Sequence, residues 1–411
     1  MRVTILNHFF HPDEAATSQL CSQLGFFLAE NTSWNIHALC GRTRYALRTP
    51  EPAGLRTVRG VQIRRLWCTD FGTGSTLGRL CDYATFFAHA WLHLTFGPRP
   101  DVLIVMTSPP LISLLGAWTN RVRGTRFIYW VQDLYPEIVR AGKKGPPGPV
   151  HRILQKLAGW IDSRAETHVV LGSCMRDRIL ERPMARHPRI EIIPNWSPAA
   201  VPEPVPSDAG ARFRQQHGLT GKKILMYSGN LGRAHDWKTM AEGFEILHAR
   251  DPDTHLVAIG YGAGMRALSA WHADRPHLPV LFLGHQPQSA LFDTLSSADI
   301  HVISQKPAFD GLVVPSKFYG IVPTGRPILF IGDRANSVAQ TVAGFSLGSI
   351  IPPGDTAHFA AEAERILGSE MFRTTCHQQS RQWHETRGEP RISLALWKRL
   401  LEPEGGKRDG I

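Results

Sequence analysis

Short apolar runs alternate with helical patterns along the whole chain. In the first half, runs rich in valine, isoleucine and leucine predict strands at residues 3–6, 35–39, 61–66, 101–106, 126–131, 168–171 and 190–193. A second series is predicted at 223–227, 255–259, 280–283, 300–303 and 328–331. Helical apolar spacing separates several of these runs, as at 19–30, 150–166 and 237–250. Strand–helix alternation predicts parallel sheets covered by helices. We therefore expect an α/β protein of two doubly wound, Rossmann-like domains facing across a cleft.

The length of the chain also favours two domains, because single cores seldom grow to 411 residues. A cluster of prolines indicates a linker, at positions 198, 202, 204 and 206. The predicted organisation is an N-terminal domain at 1–195, a proline-rich linker at 196–220, a second domain at 221–382, a C-terminal helical segment at 383–403 and a disordered tail at 404–411.

Residues 77–96 form an unusual helical pattern that is apolar on nearly every side. One stripe consists of Leu77, Leu80, Cys81, Ala84, Phe87, Ala88, Trp91 and Thr95, and the opposite face of Phe86, Ala90 and Leu94. Such a helix packs in the centre of a core, lies in the headgroup region of a membrane, or binds a partner helix. The sequence leaves all three interpretations open.

The formal net charge is +11, and the excess lies in the first half of the chain. Residues 1–200 hold 24 Lys and Arg against 14 Asp and Glu, whereas residues 201–411 hold 22 against 21. A basic half indicates an anionic partner: nucleic acid, an acidic membrane surface or a phosphorylated acceptor.

The six cysteines form no CxxC pair and are expected to be reduced, in a cytosolic protein. Neither a signal peptide nor a membrane-spanning helix is predicted.

The stretch 310–327 lies between two predicted strands and contains candidate chemistry. Ser316 is predicted to cap a short helix, and Lys317 adds a positive charge at the same place. A helix start with a free cation favours an anion, and phosphate is the usual one. An ordinary strand–loop–helix connection with a solvated lysine explains the same pattern.

Glycines follow the first two strands of the second domain. Gly229 and Gly232 would let the backbone approach a diphosphate, and Arg233 would bind it with a fork of donors. A tight turn with an exposed arginine is the alternative. Gly260 and Gly262 resemble part of a dinucleotide fingerprint, but no acidic residue ends the next strand, so NAD is not expected.

Several motifs together resemble the GT4 family of retaining glycosyltransferases, which have the GT-B fold. Within that family the chain looks most similar to the branch of bacterial surface-polysaccharide assembly, the colanic-acid and O-antigen fucosaminyltransferase-like group. The resemblance covers nearly the whole chain and depends on FHPD at 10–13, WVQDLYPE at 130–137, IPNW at 193–196, YSGNLGR at 227–233, VPSKFYG at 314–320 and GRP at 325–327.

The resemblance implies that the second domain binds a sugar nucleotide. The diphosphate would lie near Ser316, Lys317 and Arg233, the base near 284–286 and the sugar near 311–313. The implied donor-binding residues are Gly229, Asn230, Gly232, Gly260, Gly262, His285, Gln286, Gly311, Leu312, Val313, Ser316 and Gly320. Fixed cations would stabilise the leaving diphosphate, so neither a metal nor another cofactor is expected.

On the acceptor side, the resemblance implies that the first domain supplies the contacts. His11, Asp13, Thr17 and Gln132 would bind the acceptor, and Asp133 would orient it. Lys317, Arg233 and Asp133 are the candidate catalytic residues.

One departure from the family pattern concerns two glutamates that most members carry eight positions apart. Aligned on the GRP motif, their places are taken here by Leu312 and Gly320. The surface-polysaccharide branch also tends to lose them, so the loss does not exclude transfer. It leaves open how the ribose and sugar hydroxyls are held. Asn230 and His235 likewise stand where many members carry Arg and Lys.

The expected function is retaining transfer of a sugar from a nucleoside-diphosphate sugar, UDP rather than GDP, to a lipid-linked or glycan acceptor. The protein would act in cell-surface or exopolysaccharide synthesis, at the cytoplasmic face of the inner membrane, where residues 77–96 could make peripheral contact. Nucleic acid is not an expected partner. Two alternatives stay open: a non-catalytic sugar-nucleotide-binding subunit of a polysaccharide-assembly complex, and a sugar-nucleotide epimerase.

Overall fold

The computed structural model describes residues 1–42, 51–71, 76–143, 145–184, 186, 188–197, 201–202, 206 and 208–403. The chain forms two compact units: Met1–Pro194, joined by the end of the last helix from Ser393, and Asn195–Ile392. Each unit contains a sheet of mainly parallel strands, so the predicted fold class, two α/β domains with a C-terminal helical segment, is confirmed. The predicted tail at 404–411 and part of the predicted linker lie outside the described residues.

The first unit is built on an eight-stranded sheet in the order β3-β4-β2-β1-β5-β6-β7-β8. The strands are β1 (Arg2–Leu6), β2 (Asn35–Gly41), β3 (Gly54–Val58), β4 (Val61–Leu66), β5 (Val102–Val105), β6 (Arg126–Trp130), β7 (Thr167–Val170) and β8 (Arg189–Ile192). Strands β3 and β4 pair antiparallel, and every other pair in this sheet is parallel. Central strands such as β5 are buried along their whole length, as expected for a sheet covered by helices.

Six helices belong to this unit. They are α1 (Ala16–Asn31), α2 (Thr76–Phe96), α3 (Ser113–Arg123), α4 (Glu137–Arg140), α5 (Pro149–Arg164) and α6 (Ser173–Leu180). Helix α3 ends where Gly124 adopts a left-handed conformation and donates its N–H to Asn120 O, which closes the last turn.

The second unit has a six-stranded parallel sheet in the order β11-β10-β9-β12-β13-β14. The strands are β9 (Lys223–Ser228), β10 (Thr254–Ile259), β11 (Val280–Leu283), β12 (Ile300–Ser304), β13 (Ile328–Ile331) and β14 (Gly348–Ile351). The strand order reverses between β9 and β12, and ligands of such sheets bind beside the reversal, at the carboxyl ends of the strands.

The helices of the second unit complete its layers. They are α7 (Ala211–Gln216), α8 (Trp237–Arg250), α9 (Ala263–Ala273), α10 (Leu291–Ser296), α11 (Lys317–Ile321), α12 (Ser337–Gly344), α13 (Thr356–Gly368) and α14 (Glu370–Trp383). Short 3-10 helices occupy Gln288–Ala290, Pro307–Phe309 and Val322–Thr324. Asp236 caps α8 by accepting the N–H groups of Lys238 and Thr239.

The chain ends by returning to the first unit. A π-helical turn at His384–Gly388 leads into α15 (Pro390–Leu401). Trp397 of α15 is fully buried, and its ring centroid lies 4.7 Å from that of Trp130 in β6. The Ser393 hydroxyl donates to Pro194 O at 2.9 Å. The last helix is therefore a structural part of the first unit.

Helix α2 packs against the sheet with only one of its two apolar faces. Phe86, Ala90 and Leu94 are buried, whereas Leu77 and Phe96 are each 77% exposed. The remaining large apolar side chains exposed on this helix are Leu80, Trp91 and Leu92. The long stripe identified in the sequence is thus the outer face, and the shorter apolar face is the one that packs in the core. No helix in the described ranges is long and apolar enough to cross a membrane.

The Trp130–Trp397 contact predicts a specific loss of stability. Replacing Trp397 with alanine leaves a cavity under α15 and should cost ~3–5 kcal/mol, seen as a lower unfolding temperature in calorimetry. Leu396→Ala, on the same helix but 39% exposed, serves as the control and should have a much smaller effect. Equal effects of the two substitutions would contradict a packing role for Trp397.

Candidate functional site

Parallel strands of the second unit bring four loops to one edge of the sheet. Strand registers pair Ile259 with both Leu283 and Ser228, so β9, β10 and β11 end at the same level. Strand β12 runs parallel beside β9. The predicted donor-binding residues on the loops after these strands therefore share the edge at which ligands of such sheets bind.

The loops after β9 and β10 pack backbone against backbone. Gly229 N donates to Ile259 O at 2.9 Å, and Leu231 N to Tyr261 O at 2.8 Å. Gly229 and Gly260 have φ of +118° and +122°, which side chains rarely allow. A Cβ on Gly260 would also lie 2.3 Å from Gly229 O. Gly260 and Gly262 thus support the first loop from behind, and Gly229, Asn230 and Gly232 form that loop.

Lys317 holds its ammonium group beside this loop. Nζ lies 3.5 Å from the centroid of the buried Tyr227 ring, and a Cβ on Gly229 would be 3.6 Å from Lys317 Cε. Although part of the Lys317 side chain reaches the surface, Nζ itself is buried and has no hydrogen-bond partner among the described residues. Burial lowers the pKa of Lys317 well below its usual value. An unpaired buried cation is costly unless an anion joins it.

His235 is a second polar group of the same region. Its Nδ1 donates to Ser304 O at 2.5 Å, which fixes the tautomer with the proton on Nδ1. Burial, with a further contribution from the charge of Lys317, lowers the pKa of His235 to about 3. The imidazole is therefore neutral at physiological pH and does not add to the positive charge of Lys317.

Two buried side chains that the sequence did not single out hold the loop at 307–314. Gln305, fully buried, donates from Nε2 to Phe309 O at 2.9 Å and to Val313 O at 3.1 Å. Asn336 donates to Asp310 Oδ1 at 2.7 Å. Gly311 and Val313 are therefore held on an anchored loop. An amide directly after a buried strand was the only sequence signal available for Gln305.

The capping role predicted for Ser316 is wrong. Ser316 has a helical backbone conformation, and its hydroxyl makes no capping hydrogen bond to the five-residue helix α11. Phe318 N donates to Pro315 O, so the first turn already includes Ser316, which therefore lacks the extended conformation typical of a cap. Positive charge near Gly229 comes from the Lys317 side chain rather than from a capped helix start.

The remaining candidates of this unit differ in exposure. Arg233 and His285 are exposed and Gln286 is half-buried, beyond the ends of their strands. Leu312 is 5% exposed, and its N–H donates to Phe309 O. The position that carries a glutamate in most of the GT4 family therefore holds a core side chain here. Gly320 lies within α11 and is partly exposed.

Asp133 follows β6 directly, at the carboxyl edge of the first unit's sheet, as predicted from the sequence. Within the described part of the chain, no hydrogen bond or ion pair reaches its carboxylate. Burial raises the pKa of Asp133 to about 6. A half-buried carboxylate without a partner is typical of a functional position rather than a structural one.

Arg182, a residue that the sequence did not indicate, fixes the loop that carries Asp133. Its Nη2 donates to Tyr135 O at 2.5 Å, and its guanidinium also pairs with Glu137. Its Nη1 donates to Asp162 Oδ2 at 2.7 Å, and Asp162 Oδ1 accepts from His168 Nε2 at 2.9 Å. Burial alone would raise the pKa of Asp162, but these partners lower it. A buried ionic network of Arg182, Asp162 and Glu137 therefore supports the Asp133 loop.

The predicted acceptor residues near β1 have structural contacts of their own. The backbone of His11 is held by Arg65, whose guanidinium donates to His11 O, and by Ser22, whose hydroxyl accepts from His11 N. Asp13 is buried and accepts the N–H of Ala15 at 2.8 Å. Thr17 lies inside α1, and Gln132 is buried next to Asp133. Strands β1, β5 and β6 are neighbours, which places these loops along one edge.

Comparison with known proteins supports the resemblance drawn from the sequence. Residues 29–196 match the family described as glycosyl transferase 4-like domain. The probable glycosyltransferase WbjE of Pseudomonas aeruginosa is 24% identical over 275 residues, which cover 66% of this chain and 68% of WbjE. WcaI of Escherichia coli (strain K12), assigned to colanic acid biosynthesis as a glycosyl transferase, is 24% identical over 273 residues, covering 65% of this chain and 66% of WcaI.

Among solved structures, HepE from Anabaena in complex with UDP and glucose superposes with a TM-score of 0.69. The superposition covers 98% of this chain and 99% of HepE at 14% identity. That likeness concerns the fold, and it agrees with the two parallel sheets described above. The predicted resemblance to GT4-like glycosyltransferases with the GT-B fold is confirmed.

Asp133 leads to a prediction about stability and pH. Its folded-state pKa is raised from 3.8 to about 6, so the ionised carboxylate destabilises the folded protein at neutral pH. Asp133→Asn should therefore raise the free energy of unfolding at pH 8 by roughly 1–3 kcal/mol. The gain should shrink as the pH falls from about 6 towards 3.8, where the folded carboxyl is already protonated.

Thermal unfolding of wild type and variant across this pH range measures the effect. Asp274→Asn, at an exposed carboxylate with no side-chain contact among the described residues, is the matched control and should change little. An Asp133→Asn protein that is less stable than wild type at pH 8 would show that the carboxylate has a stabilising partner instead.

Proposed function

We propose that this chain, a GT4-like glycosyltransferase, transfers a sugar with retention from a nucleoside-diphosphate sugar to a lipid-linked or glycan acceptor in cell-surface polysaccharide synthesis. The donor is a UDP-sugar in preference to a GDP-sugar, and no metal takes part. The observation that carries the proposal is the buried ammonium of Lys317, which has no acidic partner and lies beside the glycine loop after β9.

A donor diphosphate would supply the missing negative charge. Its oxygens would lie against the 229–232 loop, within reach of Lys317, and the exposed Arg233 would contact it from the solvent side. His285 and Gln286 stand beyond the end of β11, where the base would bind. Backbone groups of the anchored Gly311–Val313 segment would contact the sugar, since Leu312 and Gly320 offer no carboxylate for its hydroxyls.

The chemistry proposed is substitution on the leaving-group side. The acceptor hydroxyl oxygen forms the new bond to C1 of the sugar while the bond from C1 to the phosphate oxygen breaks. The proton of the hydroxyl passes to that phosphate oxygen, so the products are the glycoside and the nucleoside diphosphate. Lys317 and Arg233 offset the negative charge that grows on the diphosphate, which is the main electrostatic demand of the step.

Acceptor binding is assigned to the first unit. Asp133 is an ionisable group with no hydrogen-bond or ion-pair partner among the residues that the structure describes, and it would accept a hydrogen bond from an acceptor hydroxyl. His11, Asp13, Thr17 and Gln132 lie on or near the same edge and would form the rest of this surface. The relatives support this assignment only in outline: WcaI is assigned to colanic acid biosynthesis, and HepE was solved with UDP and glucose.

We also propose that the protein lies on the cytoplasmic face of the inner membrane through α2. The outer face of this helix exposes large apolar side chains near both of its ends, and Trp118 and Val122 of the neighbouring α3 lie beside the second group. Arginines at 79, 99 and 121 are exposed around it, and the acidic Asp82 of α2 is buried. Apolar surface bordered by arginine suits an anionic bilayer surface.

Removal of the Lys317 charge tests the donor site. Lys317→Met should weaken UDP binding by about 10- to 100-fold, because a charge-assisted hydrogen bond contributes ~1.5–3 kcal/mol. The same variant should be at least as stable as wild type without ligand, since burial penalises the charged lysine. Calorimetric titration with UDP and thermal unfolding with and without UDP measure both effects.

Lys238→Met is the matched control, because Lys238 is exposed and ion-paired with Glu242 on α8. It should bind UDP as wild type does. Transfer is then assayed as UDP release from a UDP-hexose in the presence of a polyprenyl-diphosphate-linked sugar. Tight UDP binding without any turnover would favour a non-catalytic binding subunit, and an altered sugar nucleotide without an acceptor would favour an epimerase. Equal UDP affinity of Lys317→Met and wild type would refute the donor site.

Association with vesicles tests the role of α2. Wild type should sediment with phosphatidylcholine vesicles that contain phosphatidylglycerol, and the double variant Leu92→Ser, Phe96→Ser should bind about tenfold more weakly or worse, since each buried apolar side chain contributes ~1.5–3 kcal/mol. Both side chains are exposed, so the variant should fold normally. Met371→Ser, at a residue 80% exposed in the second unit, should bind like wild type. Unchanged binding of the double variant would exclude α2 as the contact.

A further inference from the structure

A basic cavity lies on the first unit's sheet, towards the amino ends of its strands. It has a volume of about 90 Å³, several times the ~10–15 Å³ that one water requires. In the strand register Thr4, His37 and Gln62 form one row, and Leu39 and Arg64 are paired two residues further along. Because side chains alternate across a sheet, all of them point to the same face. The end of α2, with His93 and Leu94, also lines the cavity.

Four basic side chains meet in this cavity: Arg2, His37, Arg64 and His93. Arg2 Nε donates to His37 Nε2 at 3.2 Å, so His37 accepts through that nitrogen and is neutral there. The guanidinium of Arg64 and the ring of His93 make no hydrogen bond or ion pair with any residue that the structure describes. The nearby Asp101 carboxylate accepts the backbone N–H of Arg2 rather than any of these side chains.

Burial and the neighbouring positive groups lower the pKa values of the two histidines in the cavity. Burial lowers the pKa of His37, and the charges of Arg2, His93 and Arg64 lower it further. Burial also lowers the pKa of His93, with Arg64 and Arg2 acting in the same direction. Two arginines and two histidines thus line the cavity between the sheet and the helix, and none of its lining residues is acidic.

We infer that this cavity binds an anion of the phosphate class, either a phosphate monoester or a phosphodiester. Arg64 and Arg2 offer forked donors that match the oxygens of a phosphoryl group. Gln62 and the Thr4 hydroxyl are further polar groups of the lining. The cavity lies at the amino ends of the strands, whereas Asp133 lies at the carboxyl edge, so this site is separate from the acceptor surface proposed above.

The surroundings of the cavity offer two sources for such a phosphate. Leu92 and Phe96, both exposed, flank His93 on α2, and the half-exposed Leu55 lines the rim of the cavity. A phosphate carried by a lipid headgroup would place its acyl chains beside these apolar side chains. A soluble phosphate ester would need only the basic lining.

An anion in the cavity would favour the charged imidazoles of His37 and His93 and so raise their pKa values. By linkage, binding should tighten as the pH falls through the range in which the two histidines titrate. Arg2, Arg64 and Asp101 are the other charged groups at or near the cavity. The pH dependence therefore distinguishes this cavity from a site made of arginine and lysine alone.

The experiment uses the full chain in the Lys317→Met background, in which the other buried cation is absent. Glycerol phosphate is titrated calorimetrically between pH 7.5 and 5.5, and vesicles of phosphatidylcholine with and without phosphatidic acid are tested by flotation. Arg64→Gln and His93→Gln should each weaken binding by about tenfold or more, and His93→Gln should also reduce the pH dependence. Arg176→Gln, at an exposed arginine of the same unit, is the control for net charge.

Binding of glycerol phosphate that depends on Arg64 supports a soluble ester as the source. Binding only to phosphatidic acid vesicles, with the same dependence, supports a lipid headgroup. If neither probe binds, or if Arg64→Gln and His93→Gln bind both probes as the control does, the inference is overturned. Thermal unfolding of each variant ensures that a loss of binding does not reflect a loss of folding.

Discussion

The ammonium of Lys317 is the constraint around which the second unit's ligand edge is built. This charge is buried against an aromatic ring, and no carboxylate pairs with it among the described residues. Such burial raises the free energy of the folded protein when no ligand is bound. Around it, the Tyr227 ring, the 229–232 loop and a neutral His235 leave the charge uncompensated. The rest of the edge is rigid: Gln305 and Asn336 anchor the neighbouring loop, and two glycine loops lock together through their backbones. The loops around Lys317 are thus held in place by contacts within the protein itself.

The apolar runs predicted most of the fold because buried parallel strands are nearly continuous in hydrophobic residues. Strand β14, Gly348–Ile351, escaped this reasoning because it begins with Gly and Ser and contributes only two isoleucines. The placement of candidate residues was predictable where it depends on a loop that directly follows a strand, as for Gly229 after β9 and Asp133 after β6. It was not predictable where a distant residue supplies the support, since nothing local links Arg182 to Tyr135 or Gln305 to Val313. The predicted Ser316 cap is wrong because the residue type indicates a cap, whereas the helical turn starts one residue earlier, at Pro315.

Helix α2 illustrates a different limit. Both of its faces are apolar, so periodicity could not decide which one enters the core. Packing against the sheet buries the face of Phe86, Ala90 and Leu94. The larger side chains of the other stripe are exposed. Soluble proteins rarely expose so many apolar side chains on one surface. The burial pattern of a helix that is apolar on all sides therefore depends on tertiary packing and cannot be derived from its sequence periodicity alone.

The backbone contact between the loops after β9 and β10 also limits which substitutions this protein can accept. Gly260 has no room for even a methyl group beside Gly229 O. A side chain at position 260 would therefore displace the loop after β9 as well. Substitutions are tolerated more readily at exposed positions beyond the strand ends, such as His285. A combinatorial library made at this edge would therefore leave the glycine loops unchanged and vary the exposed positions around them.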